Sequence, residues 1–88
     1  MPADPDLMDE VYAFARARAV ERTQRKGMDL EARQLATSHL RWLQTAYADA
    51  KHAGTHAATS AAIDVFRKAA MTDSDHPDYD PIWTLPAK

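Results

Sequence analysis

The stretch that decides the fold runs from Gly27 to Thr55, GMDLEARQLATSHLRWLQTAYADAKHAGT. Gly27 and Gly54 are the only glycines of the 88 residues, and no proline lies between Asp6 and His76. At 100° per residue, Ala32, Leu35, Ala36, His39, Leu40, Leu43, Ala46, Tyr47 and Ala50 share one face. Arg33, Gln34, Thr37, Ser38, Arg41, Gln44 and Thr45 share the other. Asp29 can accept the free N–H groups of a first turn, and Gly54 suits the left-handed residue that ends a helix. The pattern predicts a helix over 29–52, and its continuous apolar face makes it the expected central helix.

Outward from this segment the same punctuation predicts two more helices. Residues 6–26 begin beside Asp4 or Asp6 as cap, with Pro5 tolerated in the first turn, and end before Gly27. Leu7, Met8, Val11, Phe14 and Ala15 form their apolar stripe, which then runs into Arg18 and Arg22. Those arginine stems either lie along the bundle end or belong to a helix that projects beyond it. Residues 56–71 follow a Thr55 cap, with Ala58, Ala61, Ala62, Val65, Phe66 and Ala69 expected inward and Asp64, Arg67 and Lys68 outward. Ile63 and Trp42 fall off the main stripes, where each meets the tail, a neighbouring helix end or a second contact surface. Alanine fills 18 positions and the aromatic residues only 7, a balance that disfavours sheet folds. The expectation is an all-α, antiparallel three-helix bundle with an extended proline-rich C-terminal tail, one helical domain over 1–88.

The net charge is -2, from 11 basic and 13 acidic residues, without the positive excess of a nucleic-acid-binding protein. No cysteine is present, which excludes disulfides and thiolate metal sites. No apolar run approaches the roughly 20 residues that span a bilayer, and the acidic start Met1–Asp6 lacks the order of a secretory signal. The expected compartment is the cytoplasm. Residues 16–26 carry Arg16, Arg18, Arg22, Arg25 and Lys26 against Glu21, whereas residues 1–10 carry four acids and no base. Acid at the start and base at the end of one helix complement its dipole. The alternative reading is contact with phosphate or an acidic partner.

The histidines give no metal set. His52 and His56 are separated by Gly54, and no carboxylate completes a triad. His39, on the apolar stripe, reads as a buried neutral histidine bonded to another helix. A catalytic base would need a nucleophile or an orienting acid in reach. The tail aspartates 73, 75, 78 and 80 imitate a calcium loop but lack the glycine at its sixth position and the glutamate at its twelfth, where Asp78 and Thr84 stand. More telling are Tyr79, Ile82, Trp83 and Leu85 beside three prolines. Such a segment is expected to be non-helical and, with Tyr79 and Trp83 as anchors, either covers the bundle or binds a partner.

The run Asp75-His76-Pro77-Asp78-Tyr79 followed by Trp83, with Ala62–Ala70 before it, resembles the C-terminal part of a family of small actinobacterial and actinophage proteins, a domain of unknown function. The resemblance implies a source and a helical fold, and no mechanism. Glycine-rich phosphate loops, nucleophile elbows and paired carboxylates are missing. The sequence therefore predicts a non-catalytic, cofactor-free interaction module, expected as a homodimer or bound to another protein. The expected contact residues are Arg18, Arg22, Arg25, Trp42, Tyr79, Ile82 and Trp83. One alternative is a nucleic-acid-binding regulator using the basic end of the first helix; another is an enzyme whose site forms around His39 between subunits.

Overall fold

The computed structural model describes residues 5–83. Three helices follow one another: α1 (Pro5–Thr23), α2 (Leu30–Ala53) and α3 (His56–Met71), and a short 3₁₀ turn forms at Pro81–Trp83. No strand forms among the described residues, and the arrangement is the expected all-α bundle. The caps behave as their chemistry dictates. Asp29 accepts the Ala32 N–H at 2.7 Å, and Thr55 accepts the Ala58 N–H at 3.1 Å. Gly54, at φ 64°, is left-handed and returns its N–H to the Ala50 carbonyl. Asp4 lies outside the described residues, and Asp6 sits in the first turn of α1.

The first helix stops at Thr23, three residues short of the expected Lys26. Its last turn tightens through the Gln24 and Arg25 N–H groups, which donate to the carbonyls of Glu21 and Arg22 at 3.1 and 3.4 Å. Gly27 supplies a positive φ of 83° within the connection rather than at the helix end.

The central helix is α1, not α2. Met8, Val11, Phe14, Ala15 and Ala19 of α1 are buried, whereas α2 contributes only Leu43 and Ala50 to the buried core. Packing explains the difference: α1 lies against both other helices and also under the tail, while the outer side of α2 faces solvent. Leu35 is expected on the core stripe but is 67% exposed. The 16 residues of α3 run back from the α2 C-terminus and fall 8 short of the 24 residues of α2, about 12 Å at 1.5 Å per residue. Beyond that point Leu35 has no neighbouring helix on its flank.

The inward face of α3 is also rotated from its expected position. Thr59, Ala62, Ile63, Phe66 and Ala70 are buried, so Ile63 is a core residue while Ala61 is exposed. His39 is half-buried, and its ring lies 5.9 Å from that of Trp42 on the same helix. Among the described residues it makes no hydrogen bond to another helix, contrary to the sequence expectation.

Two aromatic groups fill what the alanines leave open. Tyr12 stacks on Tyr47 at 4.0 Å, with Phe66 at 5.2 Å from Tyr12. On the other side of α1, Phe14 meets Trp83 at 5.2 Å and Tyr79 at 5.9 Å. No helix among the described residues is long and apolar enough to cross a membrane.

Candidate functional site

Three features carry chemistry: a clasp between the tail and α1, a carboxylate shared by α1 and α2, and the open flank of α2. The clasp begins with backbone geometry. After α3 the chain makes successive tight turns, with the His76 N–H donating to the Asp73 carbonyl at 2.9 Å and the Tyr79 N–H to the His76 carbonyl at 3.0 Å. Turns of this span bring residues 73, 76 and 79 to one side. They descend α1 one helical turn at a time, meeting Arg22, Arg18 and Phe14, which are spaced four apart. The Arg22 guanidinium donates to the Asp73 carboxylate, and Arg18 donates to His76 Nε2. The Arg18 guanidinium also lies 5.5 Å from the Phe14 ring centroid and 3.1 Å from Glu21.

The tail closes on α3. Asp80 accepts the Ile82 N–H at 3.1 Å, and the Trp83 N–H donates to the Asp80 carbonyl at 3.0 Å, forming the 3₁₀ turn. Arg67 then donates to the Trp83 carbonyl at 2.9 Å and the Ile82 carbonyl at 3.3 Å. The expectation that the tail is wholly non-helical fails at this turn. The Asp80-Pro81 pair was a legible signal: a capping carboxylate followed by a proline that needs no N–H in the first turn. Trp83 is 6% exposed, and its indole N–H has no acceptor among the described residues.

The shared carboxylate is Asp9. The Tyr47 hydroxyl donates to its Oδ1 at 2.7 Å, and Lys51 Nζ lies 3.1 Å from the same oxygen. The Tyr47 hydrogen bond, then that of Lys51, hold the Asp9 carboxyl below its usual range. The bond to Asp9 in turn raises both Tyr47 and Lys51, with burial adding to the rise for Tyr47. This set favours a protonated phenol and a protonated amine, the opposite of what a general base at neutral pH requires. Among the described residues no group of three histidine or acidic side chains is placed to hold a metal ion.

The sequence-predicted contact residues are divided among these features. Arg18, Arg22, Tyr79 and Trp83 come together in the clasp, with Trp83 buried and the other three half-buried. Arg25 is exposed in the α1–α2 connection, and Ile82 is 66% exposed on the 3₁₀ turn. Leu85 lies outside the described residues. Trp42 stands apart on α2 at 52% exposure, and Leu35 lies two turns away on the same flank. One turn beyond Trp42, at Ala46, begins an apolar groove of about 350 Å³ between α2 and α3, lined by alanines and Val65 together with Asp49. Reading Leu35 as core hid this flank from the sequence; the only signal for it was Trp42 falling off the stripe. No protein-family model, curated protein or solved structure matches the chain.

Proposed function

We propose that this chain is a small, non-catalytic helical interaction module that docks a protein partner on the outer flank of α2, centred on Trp42 and Leu35. The observation that carries the reading is the consumption of four of the seven candidate contact residues, together with the place of Trp42 among the rest. Arg18, Arg22, Tyr79 and Trp83 are engaged within the chain; of the large apolar side chains left in the open, Leu30, Leu35, Trp42 and Ile82, only Leu35 and Trp42 share one flank of α2, and Trp42 stands one turn from the α2–α3 groove. Tryptophan at the centre of such a patch is the residue type that most often dominates binding energy. A cytoplasmic setting and an actinobacterial or phage-related source belong to the same proposal, the source resting on the tail resemblance. The nucleic-acid reading is less favoured, because two arginines of the basic run are held by the tail and the remaining exposed cations sit on an acidic chain.

The test is affinity capture from a host lysate with the native chain, Trp42→Ala and Leu35→Ser. Helical content should be unchanged in both variants, since neither side chain is buried. Loss of the captured protein in both supports the reading, and capture that survives both substitutions overturns it.

A further inference from the structure

The docking flank of α2 has a spacing that selects its own occupant. Leu35, His39, Trp42, Ala46, Asp49 and Ala53 follow one another at intervals of four, three, four, three and four residues, the repeat of a helix-pairing seam. That series of intervals reads the same from either end. The residues on it do not: the N-terminal half carries Leu35, His39 and Trp42, and the C-terminal half carries Ala46, Asp49 and Ala53.

We infer that this seam pairs antiparallel with the same seam of a second copy of the chain. A two-fold axis beside residue 44 sets Leu35 opposite the second copy's Ala53, Trp42 opposite its Ala46, and His39 opposite its Asp49. Each large side chain then faces a small one, which is how facing layers interdigitate without voids or clashes. Each imidazole meets a carboxylate that accepts its N–H. A parallel pairing would put Trp42 on Trp42 and Asp49 on Asp49, so bulk and charge both reject it. The antiparallel arrangement is isologous and closes at two chains.

The α2–α3 groove supplies the space. Ala46, Ala50 and Ala53 of α2 and Ala58, Ala61 and Val65 of α3 line its apolar walls, so Ala46 and Ala53, the positions that receive the incoming Trp42 and Leu35, are themselves part of it. Two α2–α3 hairpins meeting in this way form a four-helix layer. The groove then serves as the receptor for the bulky half of the seam, and the alanines that add little to the core of one chain allow the close approach of two.

This inference rests on the docking reading above and names the partner as a second copy. The experiment measures solution mass by sedimentation or light scattering over concentrations up to about 100 µM, where even weak contacts populate. The native chain is expected at twice its chain mass, and Trp42→Ala is expected to weaken association at least tenfold. His39→Glu sets carboxylate against Asp49 across both halves of the seam, and Asp49→Lys removes the acceptor of His39. Each of these variants alone is expected to be monomeric. Their equimolar mixture is expected to recover a mixed dimer, because the introduced carboxylate and ammonium then face each other on one half and the native pair survives on the other. Both positions lie outside the buried core, so far-UV circular dichroism should match the native chain. A native chain that stays monomeric, or variants whose mixture gains no association over each alone, would overturn the pairing. If the chain is monomeric while lysate capture still depends on Trp42, the second copy is wrong and the docking surface stands. A dimer disrupted by Trp42→Ala, with no lysate protein captured, supports self-pairing and removes the separate partner.

Discussion

At the scale of single residues, Asp9 shows how one side chain ties helices distant in sequence. Its Oδ1 takes the Tyr47 hydroxyl and the Lys51 ammonium, which are i and i+4 on α2. A carboxyl held below its ordinary value of 3.8 stabilises the fold above the unfolded value, and this contribution fades as pH falls through the folded one. Tyr47 and Lys51, raised above 10.0 and 10.5, act on the other side: their contribution is present at neutral pH and is lost as pH climbs through the raised values. The native chain should therefore lose thermal stability between about pH 5 and pH 2 more steeply than Asp9→Asn. Parallel curves for the two in a pH series of melting temperatures would contradict this role. Caps at Asp29 and Thr55 and the left-handed Gly54 were legible in the sequence, because each bonds or bends within a few residues of itself. The Asp9 set was not, since it depends on how α1 and α2 align.

At the scale of elements, the tail acts as a fourth layer. The arginines that interrupt the apolar stripe of α1 are not a defect of amphipathicity: Asp73 and His76 cover them, and Tyr79 and Trp83 cover Phe14 beyond them. A helix covered on three sides need not show a clean polar face. The aromatic anchors Tyr79 and Trp83 could be read from composition, but Arg67 could not, because its backbone partners at Ile82 and Trp83 exist only once the tail has turned back on α3. Trp83→Ala removes a buried indole from the Phe14 cluster and should cost roughly 3 kcal/mol in urea unfolding. A loss below about 1 kcal/mol would mean that the tail contributes little to the fold.

At the scale of the whole molecule, the burial pattern joins helices and tail into one contiguous cluster. Trp83 belongs to the same buried set as Phe66 of α3 and Leu43 of α2, with α1 between them. Tail and bundle should therefore unfold together. In a Trp42→Phe background only Trp83 reports by fluorescence, and its urea transition should coincide with the loss of helical circular dichroism. A fluorescence transition at clearly lower urea would show the tail detaching from an intact bundle. The extents of 43 × 28 × 23 Å reflect the length of α2, about 36 Å, which outruns its shorter neighbour and leaves Leu35 uncovered.

By itself the sequence determined the three helices, their caps and the absence of thiol chemistry, because glycine, proline, capping side chains and the 3.6-residue period act locally on the backbone. Only the tertiary structure decided which helix is central, which face of α3 is buried and what the tail does with Arg18 and Arg22. Those outcomes depend on unequal helix lengths and on contacts between residues more than fifty positions apart, such as Arg18 with His76. A periodicity sees the angle of a residue around its own helix; it does not see where the neighbouring helix ends.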